Sequence, residues 1–173
     1  TLQDATTRVA ETMRQRLALS IAERQQLPTW TDALRLLVAK AEDAGVLVMA
    51  SGVVGSDSHR KLEVEEFRGF ALADELAPLV FINGADSKAA QMFTLAHELA
   101  HLWLGQSGIS DPELGQLAEP GVERWCNAVA AEFLMPLALV RQDYQPSAPL
   151  VDEIQRLARI YKSSTLVALR RLF

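Results

Sequence analysis

Histidine is scarce in this chain, cysteine scarcer still, and long apolar runs are missing. One cysteine, Cys126, excludes an internal disulfide and gives no sign of an oxidising compartment. No stretch approaches the roughly 18 consecutive apolar residues of a membrane span, so no membrane partner is expected. Dense Lys/Arg runs are absent and the formal net charge is −5. Phosphate contacts need a concentrated basic footprint, so direct nucleic-acid binding by this chain is not expected. The N-terminus lacks the shape of a signal peptide, because Asp4, Arg8, Glu11 and Arg14 punctuate it evenly, and the expected location is cytoplasmic. The sequence opens on Thr1 without a methionine, as a piece of a longer protein would. What remains is 173 residues with 49% hydrophobic and 23% charged content. That suits one domain, 1–173, with a helical part at 1–44, a sheet and site core at 45–136, and C-terminal helices at 137–173.

Two of the three histidines are spent in His97-Glu98-Leu99-Ala100-His101. On a helix, positions four apart are neighbours on one face, with Cβ atoms about 5–6 Å apart. Both imidazoles can then reach one metal ion at about 2.0–2.1 Å. Glu98 sits about 100° round the same helix, within reach of a proton on a metal-bound water.

Val9, Met13 and Leu17 recur at helical spacing and predict a helix from Leu2 to about Leu19. A second helix is expected over about Asp32–Ala44, with Thr29 and Asp32 as a capping box and Gly45 as its stop. Val46–Val54 reads as a buried strand, Phe67–Leu72 as a second and Leu79–Asn83 as a third. The polar segment Ser56–Glu66 reads as a loop or irregular edge. The expected class is α+β, with a small, mostly antiparallel sheet packed with helices. The motif helix should start near Asp86 or Ser87 and end before Gly105. Met92, Leu95, Leu99 and Trp103 form its apolar stripe, and the two histidines lie on the far side, facing a cleft. Gln106–Pro120 reads as a loop, Val122–Met135 as a helix stopped by Pro136, and Leu150–Tyr161 and Thr165–Leu172 as two more helices.

A catalytic zinc takes three protein ligands and keeps a fourth position open. No histidine follows His101, and His59 lies far upstream in a polar segment, where solvation is the plainer reading. The third ligand is then a carboxylate from Asp111, Glu113, Glu119, Glu123 and Glu132. Glu123 begins a helix whose same face carries Asn127, Ala130 and Leu134, and Ala130 permits close approach. Glu132 lies about 180° from it, so the two are not expected to serve one cleft. Helix phase alone does not choose among the candidates.

Phe93-Thr94-Leu95-Ala96-His97-Glu98-Leu99-Ala100-His101 and the run Glu123-Arg124-Trp125-Cys126-Asn127-Ala128-Val129-Ala130-Ala131-Glu132-Phe133-Leu134-Met135-Pro136 together resemble the ImmA/IrrE family of metallopeptidases. Phe67–Leu72 and Val80–Asn83 look like its strands. The resemblance implies a zincin-like fold with the motif on a central helix. It implies Zn2+ held by His97, His101 and Glu123, with Glu98 as general base. It also implies cytoplasmic cleavage of helix-turn-helix repressors, in stress responses among others. Cys126 stands where the family usually has alanine, and Trp125 is bulky for its position. The amino-terminal helix-turn-helix domain of many relatives is not evident here.

The expected activity is therefore that of a zinc-dependent endopeptidase acting on a protein or peptide, with a transcriptional repressor as one such partner. The alternative is a metal-containing sensor or interaction module with little turnover, and the presence of Glu98 favours the enzyme. A capture component of an inhibitor or toxin system is a third reading. Tyr144, Tyr161 and Arg124 are candidate oxyanion stabilisers, each with a packing or surface role as the plainer reading. Leu79–Asn83 could offer an exposed edge to an extended peptide. Cys126 reads as a small buried residue and Trp30, Trp103 and Trp125 as core.

Overall fold

A computed structural model of the chain describes residues 2–54, 57–110 and 120–173. Three helices lead: α1 (Leu2–Arg16), α2 (Ile21–Gln26) and α3 (Trp30–Asp43). α1 stops before the expected Leu19 because Ala18 turns into the left-handed region at φ 46°. The six-residue α2, capped by Ser20, is too short to show a period in the sequence. α3 begins as its capping residues foretell, with the Thr29 hydroxyl accepting from the Asp32 N–H at 3.1 Å. Gly45 follows its end at φ +91°.

A four-stranded sheet follows, in the order β1-β5-β4-β6, from β1 (Leu47–Ser51), β4 (Gly69–Leu72), β5 (Leu79–Asn83) and β6 (Gly108–Ser110). β1 runs parallel to β5, while β4 is antiparallel to both β5 and β6. A separate antiparallel ribbon joins β2 (Val53–Val54) and β3 (Asp57–Lys61). The fold is thus α+β with a small mixed sheet in which antiparallel pairing predominates. Three strand expectations need correction. Val46–Val54 is not one buried strand: β1 lies at the sheet edge, with Leu47 and Met49 more than half exposed. β5 is interior, flanked by β1 and β4, so Leu79–Asn83 offers no free edge. Part of the segment read as a loop, Gly108–Ser110, pairs with β4 as β6.

Among the described residues, helices pack on one face of the sheet. Val80, Ile82 and Ala71 point into the core beneath α4 (Lys88–Trp103), while Phe70 and Phe81 stack on the other face with ring centroids 5.4 Å apart. Ser87 caps α4 by accepting from the Ala90 N–H, and Gly105 follows it at φ +65°. α5 (Pro120–Leu134) lies along α4 and α1, and the three helices share one core with α3. Pro136 ends α5, and α6 (Leu137–Asp143) starts at once where no helix was expected. With α7 (Leu150–Ile160) and α8 (Thr165–Leu172), α6 encloses a second apolar cluster around Tyr161 and Leu157. No described helix is long and apolar enough to cross a membrane.

Candidate metal centre

α4 is buried on nearly every side from Gln91 to His101, unlike the amphipathic helix its stripe suggests. Met92, Leu95 and Leu99 are buried as expected, but Trp103 is 37% exposed and lies under the Arg16 guanidinium. The histidines do not face an open cleft. His97 and His101 are 4% and 3% exposed, because α5 lies directly against their side of the helix.

That helix delivers the third group. Glu123, in the first turn of α5, places Oε2 3.2 Å from His97 Nε2 and Oε1 3.1 Å from His101 Nε2. The two Nε2 atoms are 3.1 Å apart. Three potential lone-pair donors therefore converge on one point from two helices, and among the described residues they form a possible metal-holding group. The spacing fits a small cation. Ligand atoms set tetrahedrally at about 2.0–2.1 Å from zinc lie about 3.3 Å from one another. Two imidazoles and a carboxylate are also a donor set suited to a divalent transition metal.

Electrostatics shift two of these groups towards the forms that can bind a cation. The Glu123 carboxyl is held below its usual range, first by the hydrogen bond from His97 and then by the charge interactions with both imidazoles, against the opposing effect of burial. His101 is held below the ordinary histidine value by burial and by its neighbour His97, which outweigh the pull of Glu123. Once the proton shared with the carboxylate is lost, the facing imidazole nitrogen can offer its lone pair to a cation.

Glu98 is fully buried on the side of α4 that faces β4. Its Oε1 lies 3.5 Å from where a Cβ on Gly69 would stand, and that same Cβ would come within 2.6 Å of Thr94 Cγ2 and 2.7 Å of the Phe81 carbonyl. Only a glycine lets β4 approach α4 this closely. Sequence reasoning missed this role, although the glycine within a strand pattern was a visible signal. Cys126, one turn along α5 from Glu123, is pushed up to about 12 by burial and by the charges of Glu123 and Glu98. It is an inert buried thiol.

The remaining candidates fall elsewhere. Asp111, Glu113 and Glu119 lie outside the described residues. Glu132 sits nine residues along α5 and pairs with Arg171. His59 is exposed on β3 and stands outside the group. Tyr161 is buried and donates to Asp143 Oδ2 at 2.7 Å, a structural bond between α6 and the end of α7. Tyr144 lines a cavity at the far end of α5, and Arg124 is exposed beside Glu123. A cavity of about 660 Å3 lies against the opposite face of α4, by Leu99 and Trp103, and touches none of the three converging residues.

The model of a peptidase family, M78, described as the IrrE N-terminal-like domain, matches residues 41–173. The chain belongs to the ImmA/IrrE metallopeptidase family. Two relatives agree with that placement. The radiation response metalloprotease IrrE of Deinococcus radiodurans is 35% identical over 99 residues, covering 53% of this chain and 30% of that protein. Its namesake in Deinococcus deserti is 34% identical over 99 residues, covering 53% of this chain and 35% of that protein. The match thus spans about a third of each relative's length.

Proposed function

We propose that this chain is a zinc-dependent endopeptidase that cuts a regulatory protein, such as a helix-turn-helix repressor, in a stress response. The observation that carries the reading is the approach of His97 Nε2, His101 Nε2 and the Glu123 carboxylate to 3.1–3.2 Å of one another, in a member of a metallopeptidase family. His97, His101 and Glu123 would hold the ion. When bound, zinc supplies a Lewis acid that polarises the scissile carbonyl and acidifies the attacking water. Glu98 accepts the proton of that water and returns it to the leaving amide nitrogen. Gly69 holds Glu98 in place by letting β4 pack against α4 without a side chain between them. The names of the two relatives support a radiation or general stress setting, and a repressor substrate places the reaction in the cytoplasm. We read residues 1–173 as one domain, because α1 packs along α5 and Arg171 of α8 reaches the end of α5.

The near-complete burial of both imidazoles favours a second reading, a metal-holding sensor or interaction module with little turnover. Glu98 counts against it, since a module that only binds has no use for a base. The two separate on Glu98→Gln, assayed for metal content and for cleavage of a repressor substrate. The enzyme reading expects one bound ion in both proteins and a fall in cleavage of about 10²–10⁴-fold in the variant. A variant that cuts as fast as the parent ends the assigned mechanism. Bound metal without cleavage by either protein selects the second reading.

A further inference from the structure

The C-terminal helices carry a surface that the metal centre does not use. α8 divides by helical phase. Val167 and Ala168 are buried in the second apolar cluster, and Arg171 reaches inward to Glu132. On the opposite side Leu166 and Leu169 are 58% and 38% exposed, with Phe173 on the same line. At 100° per residue these three positions fall within about 60° of one another, and Arg170 borders them. This is an apolar stripe of the kind helices normally bury.

Beside the stripe a cavity of about 470 Å3 opens between α6, the start of α7 and the end of α8. Leu137, Val140 and Leu172 give it apolar lining, and Tyr144 and Leu150 contribute exposed apolar surface. Its charged lining is of one sign: Arg141, Arg170 and Arg171, with no acid. Arg171 is engaged by Glu132 and the Met135 carbonyl. The guanidiniums of Arg141 and Arg170 have no ion-pair or hydrogen-bond partner among the described residues. A chain of net charge −5 thus gathers uncommitted positive charge around one apolar recess.

We propose that this face docks an acidic, amphipathic helix of a partner protein. Its apolar residues would cover Leu166 and Leu169 and enter the recess, and its flanking carboxylates would pair with Arg141 and Arg170. Charge complementarity selects the sign of the partner. The extent of the apolar stripe selects a peptide over a small carboxylate, which would fill the recess and leave α8 bare. Nucleic acid fits less well, because a row of leucines offers phosphates nothing. The surface lies beyond the end of α5 remote from Glu123, about 18 Å along the helix axis, so it does not depend on the metal reading.

The test uses the full chain and a fluorescein-labelled helical peptide about four turns long. Leu and Phe line one face of the probe and Glu flanks them. A second peptide replaces Glu with Lys, a third replaces the apolar residues with Ser, and a DNA duplex is a fourth probe. Fluorescence anisotropy should show the acidic apolar peptide bound at least about tenfold more tightly than either altered peptide, with affinity falling as salt rises. Arg141→Gln/Arg170→Gln and, separately, Leu166→Ser/Leu169→Ser should each weaken it by about tenfold or more, at unchanged circular dichroism. Because all four side chains are exposed, the fold should survive. Should one pair lose helix, the other reads the same surface. Equal binding of the Glu and Lys peptides, unchanged affinity in both variants, or no binding by the parent overturns the proposal. Tighter binding of duplex DNA, lost in the arginine variant, overturns it in favour of a nucleic-acid surface.

Discussion

The two ends of α5 are both polar, yet they are built on opposite principles. At the C-terminal end the carbonyls that a helix leaves unpaired are met by cations from three other helices. Arg14 donates to the Glu132 and Phe133 carbonyls, Arg24 to Leu134, and Arg171 to Met135 as well as to the Glu132 carboxylate. Pro136 makes these partners necessary, because it has no N–H to give the Glu132 carbonyl. Burial and the neighbouring Arg14 bring Arg24 down to about 10, which leaves it charged at neutrality. At the N-terminal end Glu123 meets two imidazoles whose ring nitrogens also face each other at 3.1 Å. Cations meet carbonyls and one carboxylate at one end, while the other brings a carboxylate and two imidazoles to a shared point. The first end ties α5 to α1, α2 and α8, and the second is the one we propose to hold an ion.

This contrast is broken most severely by Glu123→Ala. Loss of an outer-shell partner of a metal ligand costs about 10–100-fold in affinity, so loss of a proposed ligand should cost more than about 100-fold. The metal-free protein should hardly change in stability, by less than about 1 kcal/mol, since Glu123 is partly exposed. Competition with a chromogenic chelator reads the first quantity and urea unfolding the second. Equal metal affinity in parent and variant would place the ion elsewhere.

Arg171→Met is the complementary change. It leaves the Glu132 carboxylate, 6% exposed, without its cation, and should destabilise the fold by about 3–5 kcal/mol. Metal affinity should be unchanged. The double variant Arg171→Met/Glu132→Gln should recover most of the loss, because the stranded charge has gone with its partner. If the single variant instead weakens metal binding as much as Glu123→Ala does, the two ends of α5 are one coupled unit.

A smaller effect is expected at Gly69. An added methyl would press on Thr94 and on the Phe81 carbonyl, at a cost of about 1–3 kcal/mol. Because the strain falls on the side of α4 that carries Glu98, Gly69→Ala should lower cleavage while metal content stays at the parent level. A loss of metal together with activity would show that the sheet positions the proposed ligands as well as the proposed base.

These expectations differ in how far the sequence foretold them. The His97–His101 pair follows from a spacing of four on one helix, and local chemistry of that kind is legible without a fold. Ser87 and Thr29 announce their helices for the same reason, since a cap acts within three residues. Glu123 needed the family resemblance, because helix phase does not say which face of α5 meets α4. The three-arginine clamp was not legible at all. Arg14, Arg24 and Arg171 are separated by up to 157 positions and share only a tertiary neighbour. β6 and the short helices α2 and α6 escaped because a few residues carry no period, and β1 misled because a β-branched run reads alike at an edge and in a core.

The least expected change comes from α7, away from both ends of α5. Glu153 is buried and accepts from Arg156 Nε and Nη2 at 2.7 and 2.8 Å and from the Gln145 N–H at 2.9 Å. The Arg156 hydrogen bonds hold its carboxyl below the usual glutamate range. A carboxyl depressed in the folded state stabilises the protein above its unfolded value of about 4.3, and that contribution disappears as pH falls through the lower folded value. In the metal-free protein, urea midpoints should therefore decline less steeply from about pH 5 to pH 3 in Glu153→Gln than in the parent. Glu123 is depressed too, so both proteins should keep a residual slope, and placing Glu153→Gln in a Glu123→Ala background should flatten it further. If Glu153→Gln leaves the slope untouched, the acid sensitivity of the fold lies with the other depressed carboxyls, Glu123 and Asp74.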